Sequence, residues 1–275
     1  MLKKEKSMNI TAILVAALVV GCTGVLIGFF LGVAGEKLAV EVDEKEEAIL
    51  GVLPGNNCGG CGYAGCSGLA AAISKGEAPI NQCPVGGSGV AAQIGAIMGV
   101  EADEGTRMVA FVKCSGNKEA SKADYAYNGL MDCTAMKYVP NGGPKSCNYG
   151  CLGYGSCVKA CPFDAIHIVD GIAKVDKEAC KACGKCVATC PKSLIELIPY
   201  DTEYVVRCVS KNKGKAVIDA CGAGCIGCHL CEKTCEHGAI TVIDNIARID
   251  YAKCVHCGAC AEKCPKHVIK HILEA

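Results

Sequence analysis

Residues 180–191 read Cys-Lys-Ala-Cys-Gly-Lys-Cys-Val-Ala-Thr-Cys-Pro, and residues 254–265 repeat the same cysteine and proline positions. Three cysteines separated by two residues each, followed after three more residues by Cys-Pro, form a pattern that ligates [4Fe–4S] clusters. The chain has 25 cysteines in 275 residues, and neighbours this close cannot form disulfides with each other. Zinc sites instead use two Cys-x2-Cys pairs about a dozen or more residues apart. The pattern therefore favours iron–sulfur clusters over zinc or disulfides.

An internal duplication organises the second half of the chain. When the sequence is shifted by 74 residues, eight cysteines fall on eight others without a gap. Such register predicts a tandem repeat of one structural unit. The paired positions are Cys147 and Cys221, Cys151 and Cys225, Cys157 and Cys231, Cys161 and Cys235, Cys180 and Cys254, Cys183 and Cys257, Cys186 and Cys260, and Cys190 and Cys264.

Each repeat follows the plan of a bacterial ferredoxin with two clusters. In that plan three cysteines of one run bind one cluster, and the fourth cysteine crosses to the other cluster. Three complete ligand sets follow from this rule. They are Cys180, Cys183, Cys186 and Cys161; Cys225, Cys228, Cys231 and Cys264; and Cys254, Cys257, Cys260 and Cys235.

One ligand set of the first repeat is incomplete, because Tyr154 occupies the position that corresponds to Cys228. Cys151, Cys157 and Cys190 remain as three of its ligands. Either this cluster is missing or incomplete, or a nearby cysteine substitutes. We predict that the substitute is Cys147.

A separate glycine-rich module precedes the repeats, with Cys58, Cys61, Cys66 and Cys83 as a fourth complete set. Backbone N–H groups in such a loop can point at the cluster sulfurs. A structural zinc is the alternative. The sequence thus predicts five [4Fe–4S] clusters. A sixth is predicted if the remaining cysteines form a set and are not ordinary buried thiols; these are Cys114, Cys133, Cys208 and Cys221.

The segment from Met8 to Ala34 is apolar and uncharged, and a membrane-spanning helix needs roughly 20 such residues. A signal peptide would be shorter. Residues 19–22 resemble a lipoprotein processing box, but the apolar run continues well beyond Cys22, so we interpret Cys22 as a membrane thiol and not a ligand. Gly24, Gly28 and Gly32 have the spacing that brings membrane helices together. They predict packing against partner subunits, the alternative being an anchor that contacts only lipid.

Two arguments disagree about the orientation of this helix. The positive-inside rule, applied to Lys3, Lys4 and Lys6, would place the N-terminus inside and the cysteines outside. Free thiols, however, persist best in the reducing cytosol, where clusters are assembled. We predict a single-pass protein of the cell membrane with its cluster domains on the cytoplasmic side.

Composition excludes other functions and sets the expected architecture. The chain has no Trp, four Phe and a formal net charge of zero, so metal–thiolate bonds must replace part of a core and no nucleic-acid partner is expected. We predict an α+β fold. Its segments are a membrane anchor (1–35), a charged helical stalk (36–50), a 4Fe-4S module (51–100), a connecting segment with a strand at 108–112 (101–145), the first repeat (146–200) and the second repeat (201–275).

Two segments carry a family resemblance. Residues 53–62, Leu-Pro-Gly-Asn-Asn-Cys-Gly-Gly-Cys-Gly, and residues 147–155, Cys-Asn-Tyr-Gly-Cys-Leu-Gly-Tyr-Gly, resemble the RnfB family, the B subunits of the Rnf ion-translocating ferredoxin:NAD+ oxidoreductase complex. The resemblance implies that electrons pass from reduced ferredoxin through this subunit to membrane-embedded iron–sulfur and flavin-bearing subunits. NAD+ reduction would be coupled to Na+ or H+ transport. The flavin and NAD sites would belong to partners, since the chain lacks the nucleotide-binding motifs.

Two alternatives keep the cysteines but change the function. The cysteine runs, taken alone, are also typical of a polyferredoxin that serves another membrane oxidoreductase such as a hydrogenase. A zinc-binding membrane adaptor is the other alternative. Neither requires an acid–base catalytic residue, and none is predicted here.

Overall fold

The computed structural model describes residues 10–37, 43–102 and 105–274. It forms two compact units, Met1–Glu44 and Lys45–Ala275. The α-helices of the described ranges are α1 (Ile10–Lys37), α2 (Glu44–Val52), α3 (Cys66–Ser74), α4 (Gly87–Met98), α5 (Ser156–Ala160), α6 (Lys185–Thr189), α7 (Lys215–Ala220), α8 (Leu230–Thr234) and α9 (Ala259–Glu262). The strands are β1 (Met108–Val112), β2 (Ile166–Val169), β3 (Ile172–Val175), β4 (Ile195–Pro199), β5 (Tyr204–Val206), β6 (Ile240–Ile243), β7 (Ile246–Ile249) and β8 (Ile269–His271). Short 3-10 helices lie at Ala135–Tyr138, Pro140–Gly142 and Ile272–Glu274.

Helix α1 has the length and composition of a membrane span. Its 28 residues rise about 42 Å at 1.5 Å per residue, more than the roughly 30 Å hydrocarbon core. The window Ala17–Gly35 has a mean hydropathy of 2.3, and none of it is buried against other described residues. Lys3, Lys4 and Lys6 lie outside the described residues, and the packing of the glycine face stays a prediction.

Helices α2, α3 and α4 surround the core of the glycine-rich module. Ile49, Leu69, Ile73 and Ile94 are each no more than 1% exposed and pack together. Ile49 belongs to the segment that the sequence assigned to a charged stalk. The end of α2 is therefore part of the module's core, because Ile49 and Val52 pack against the apolar side chains of α3 and α4.

The two repeats contain equivalent hairpins. Strands β2 and β3 pair antiparallel from Ile166 to Val175, and β6 and β7 pair with the same register from Ile240 to Ile249. Both central turn residues have positive φ in each hairpin, at 51° and 79° for Asp170 and Gly171. This is the turn geometry that matches the twist of a two-residue hairpin. The duplication seen in the sequence is a duplication of structure.

An outer strand at the start of each repeat pairs with the last strand of that repeat. Strand β1 pairs antiparallel with β4, the last strand of the first repeat. Strand β5 pairs in the same way with β8 in the second repeat. The strand predicted at 108–112 is confirmed, and it belongs to the first repeat although the sequence placed it in a connecting segment. The mixture of short helices and antiparallel pairs confirms the α+β class.

Four short helices begin inside the cysteine runs, and each follows a residue with a left-handed backbone. Their preceding residues are Gly155, Gly184, His229 and Gly258, with φ between 60° and 78°. Glycine adopts this conformation without steric cost. The tight turn lets a run place its cysteines around one point.

Candidate iron–sulfur centres

The cysteine groups of the described chain are not arranged as ligands of a single metal ion. No three Cys, His, Asp or Glu side chains in the described ranges approach closely enough to hold a single ion. Zinc bonds of about 2.3 Å would bring four sulfurs to about 3.8 Å from one another. Four cavities are instead lined by four cysteines each. This donor chemistry and spacing fit multi-iron clusters.

The second repeat brings together the two sets that the sequence predicted. One cavity is lined by the Cys225 set, which is Cys225, Cys228, Cys231 and Cys264. The other is lined by the Cys254 set, which is Cys254, Cys257, Cys260 and Cys235. Cys228 and Cys257 are exposed, so both sets reach the surface of the second repeat.

The first repeat contains the Cys180 set, which is Cys180, Cys183, Cys186 and Cys161. Burial, together with the neighbouring Cys180, Cys183 and Cys161 sulfurs, raises the pKa of Cys186 to about 11. The amides of Ala110 and Ala182 each donate to Cys180 Sγ at 3.4 Å. Metal charge would offset the cost of the buried thiolates, and the amide donors stabilise negative charge on the sulfur.

Cys133 lines the same cavity as the three remaining cysteines of the incomplete set, whereas Cys147, the substitute predicted from the sequence, lines a different cavity. One cavity is lined by the Cys151 set, which is Cys151, Cys157, Cys190 and Cys133. The Cys133 amide donates to Ser156 Oγ at 2.8 Å, which holds Cys133 beside Cys157. Tyr154 stacks on Tyr127, with ring centroids 6.4 Å apart. Tyr154, stacked on Tyr127, thus occupies the position that corresponds to Cys228 of the second repeat.

Cys147 belongs to a different group, which we name the linking set: Cys114, Cys147, Cys208 and Cys221. Each repeat contributes two of these cysteines. Cys114 and Cys208 follow β1 and β5 by two residues, and Cys147 and Cys221 occupy equivalent repeat positions. Pairing of residues 120–122 with 220–222 closes the group. Three of the four cysteines left over in the sequence therefore meet here, and Cys133 does not.

The glycine-rich module holds the module set, which is Cys58, Cys61, Cys66 and Cys83. The sulfurs of Cys61 and Cys58 lie close enough to Cys83 to raise its pKa, after the larger effect of burial. Asn57 Oδ1 accepts the Cys66 amide at 2.8 Å. This bond fixes the first cysteine of α3 beside the Cys58 loop.

Three family models match the same regions. The model described as "Putative Fe-S cluster" matches residues 53–85. Models described as "4Fe-4S dicluster domain" match residues 143–191 and residues 224–268. Each region contains cysteine sets found in the structure, so the chain carries [4Fe–4S] domains.

Curated relatives cover most of the chain. It is 45% identical to the B subunit of the Na(+)-translocating ferredoxin:NAD(+) oxidoreductase complex of Acetobacterium woodii, over 96% of this chain and 80% of the relative. The chain belongs to the RnfB family. It is also 43% identical to the B subunit of the ion-translocating oxidoreductase complex of Methanosarcina acetivorans, over 90% of this chain and 94% of the relative. The B subunit of the proton-translocating ferredoxin:NAD(+) oxidoreductase complex of Clostridium ljungdahlii is 40% identical over 91% of this chain and 89% of the relative.

As a member of the RnfB family, the chain is an iron–sulfur electron-transfer subunit of an ion-translocating oxidoreductase complex. Other subunits of that complex are its partners. The expected resemblance is confirmed. Within this member of the RnfB family, α1 is the one helix of the described residues that could cross the membrane.

The six sets of this RnfB-family chain form an uninterrupted row. The two sets of each repeat adjoin because each takes one cysteine from the other's run. The Cys58 sulfur lies near Cys183, and a Cβ on Gly60 would meet the Cys183 carbonyl at 2.7 Å. The Cys151 amide donates to Cys114 Sγ at 3.4 Å, and the Cys225 amide donates to Cys208. The order is the module set, the Cys180 set, the Cys151 set, the linking set, the Cys225 set and the Cys254 set.

A sequence signal for Cys133 exists in this RnfB-family chain. The segment from Cys114 to Cys147 is longer than the equivalent segment from Cys208 to Cys221. Cys133 lies in this extra length, and the repeat that contains it is the one that lost a cysteine to Tyr154. An insertion that supplies a replacement ligand is visible only when both differences are considered together.

Proposed function

We propose that the chain accepts electrons from reduced ferredoxin and passes them one at a time towards membrane-embedded iron–sulfur and flavin-bearing subunits. These subunits would reduce NAD+ and translocate Na+ or H+. The observation that carries the proposal is the uninterrupted row of six cysteine sets. The names of two relatives, one Na+-translocating and one proton-translocating, support ferredoxin and NAD+ as the partners in the reaction.

Every cysteine except Cys22 is assigned a ligand role in this proposal. Each of the six sets would hold one [4Fe–4S] cluster, whose chemistry is the reversible uptake of a single electron. The protein's own contribution is to bury the sulfurs and direct amide donors at them. Examples are Ala173 to Cys151, Leu194 to Cys190 and Val268 to Cys264, each at 3.4 Å.

Exposure supports a direction for the row. Cys228 and Cys257 in the second repeat are exposed, whereas the cysteines of the linking, Cys151 and Cys180 sets are buried or half-buried. A soluble donor can approach the second repeat most closely. The module set follows α1 in sequence, so we place the exit to the membrane subunits there. We also propose that the cluster domains face the cytoplasm, where a soluble ferredoxin is found.

Deletion of the gene is expected to abolish the reduction of NAD+ by reduced ferredoxin in membrane vesicles. The reason is that no other route connects a soluble donor with the membrane subunits in this proposal. Plasmid-borne wild-type chain should restore the activity. The measurement is NADH formation, followed by its absorbance, with reduced ferredoxin as the electron donor.

A second assay in the same vesicles separates the alternatives. If deletion leaves NAD+ reduction intact but abolishes hydrogen evolution, the chain is a polyferredoxin of a hydrogenase. If neither activity changes and the purified protein is colourless with bound zinc, the adaptor alternative is correct.

The iron content is expected to be four irons for each of six sets in the purified, anaerobically handled chain. Iron and acid-labile sulfide are measured against protein concentration from amino-acid analysis. Cys22→Ser is the matched control, because Cys22 lies in α1, outside every set, and its loss should remove no iron. A content that fits five clusters would contradict the sixth.

A further inference from the structure

Three cationic side chains surround the linking set. Arg207 is only 5% exposed, lines the cavity of this set and donates from Nη2 to the Cys114 carbonyl at 2.9 Å. Lys145 donates from Nζ to the Gly116 carbonyl at 2.6 Å. A Cβ on Gly116 would lie 3.3 Å from Cys221 Sγ, so this carbonyl belongs to the wall of the site.

Lys192 is the third cation, and it lines the neighbouring cavity of the Cys151 set. The sulfurs of Cys147 and Cys114 in the linking set also lie within electrostatic range of Lys192. Lys192 therefore lies between the two sets.

In the described part of the chain, no carboxylate pairs with these cations. Among the residues that the structure describes, none of the ion pairs within 4.0 Å involves Arg207, Lys145 or Lys192. Lys113, which lines the same cavity, is by contrast paired with Glu196 at 2.6 Å. Arg207 is the buried one of the three, and a buried charge without a counter-charge is strongly unfavourable. Among the described residues, the Cys114 sulfur of the linking set is the negative group that acts on Arg207.

Two buried hydrogen-bond donors at this cavity also lack a partner. They are Ser115 Oγ and Arg207 Nε, and both residues line the linking cavity. Buried donors in folded proteins are nearly always satisfied. Sulfur atoms of a bound cluster are acceptors of the right charge for both.

We propose that Arg207, supported by Lys145 and Lys192, is the counter-charge of the cluster in the linking set and raises its reduction potential. This inference rests on the proposed function, since it requires a cluster at that set. Reduction adds one electron to a group that is already negative. A fixed cation in a low-dielectric surrounding stabilises the more negative form. The cation would therefore stabilise an electron at the junction between the repeats.

The test is a redox titration of the full-length, iron-loaded chain in detergent, followed by EPR. Cys147→Ser first identifies the component of the linking cluster by its loss, together with one cluster's iron. Arg207→Gln is then expected to lower the midpoint potential of that same component. The expected change is at least about tenfold in the reduction equilibrium, or about 59 mV for one electron. Arg207→Lys should retain part of the effect.

Arg107→Gln is the matched control, because Arg107 is half-exposed and pairs with Glu178 at 3.6 Å. It should leave the EPR component of the linking cluster unchanged.

Retention of full iron in Cys147→Ser would overturn the cluster assignment in the proposed function. Loss of that cluster's iron in Cys147→Ser, with no change of potential in Arg207→Gln, would overturn the counter-charge alone. If Arg207→Gln cannot hold the cluster, the midpoint potential is measured in Lys145→Met and Lys192→Met instead. A lower potential in either variant supports the proposal, and an unchanged potential in both refutes it.

Discussion

Cys133→Ser is expected to lose one whole cluster, and Tyr154→Cys in the same chain is expected to restore it. Cys133 lines the Cys151 set in place of the cysteine that Tyr154 replaces in the repeat pattern. A cysteine at 154 returns the ligand of the second repeat, Cys228, to its equivalent position. Iron and sulfide per chain should fall by one cluster's content in the single variant and recover in the double variant.

The matched comparison is Cys147→Ser with and without Tyr154→Cys. Cys147 lies in the linking set, so the added cysteine at 154 cannot replace it and the iron should stay low. Rescue of Cys147→Ser, with no effect of Cys133→Ser, would show that Cys147 is the substitute ligand after all.

Cys61→Ser is expected to abolish NAD+ reduction by reduced ferredoxin while leaving the other clusters reducible. The module set lies at one end of the row and contacts the Cys180 set through Gly60 and Cys183. Loss of its cluster removes the last step before the membrane subunits and none of the earlier ones. The measurements are NADH formation in vesicles and the bleaching of visible absorbance by reduced ferredoxin in the purified chain.

Cys22→Ser serves as the control for Cys61→Ser, since it is also a cysteine-to-serine change but lies in α1. Its NADH formation should match that of the wild-type chain. If Cys61→Ser loses one cluster's iron and still supports full NAD+ reduction, electrons leave the row elsewhere and the linear order is wrong.

The cysteine spacing and the 74-residue repeat predicted the parts of the fold that depend on contacts within one repeat. The grouping of the Cys225 and Cys254 sets follows from the cysteine runs, and the equivalence of the hairpins β2–β3 and β6–β7 follows from the 74-residue register. Each of these sets takes its ligands from two runs within one repeat. Short-range spacing is therefore enough to define it.

The assignment of Cys133 and Cys147 depended on contacts that spacing does not contain. The linking set forms because residues 120–122 pair with residues 220–222, far away in sequence. A separate hydrogen bond, from the Ser115 amide to the Arg207 carbonyl, places Arg207 beside Cys114. The spacing of the cysteines contains neither contact. The burial of Ile49 in the module was missed for the same reason, since a short charged segment does not reveal the surface that it meets.

The linking set has a consequence for the assembly of the molecule. Because each repeat supplies half of its cysteines, neither repeat alone can bind iron there. A cluster bound there would join the two repeats through metal–thiolate bonds and fix their relative orientation, in addition to carrying the electron. Chelation or oxidation of the cluster at this position would free the two repeats to move relative to each other. The same event would interrupt electron transfer between them.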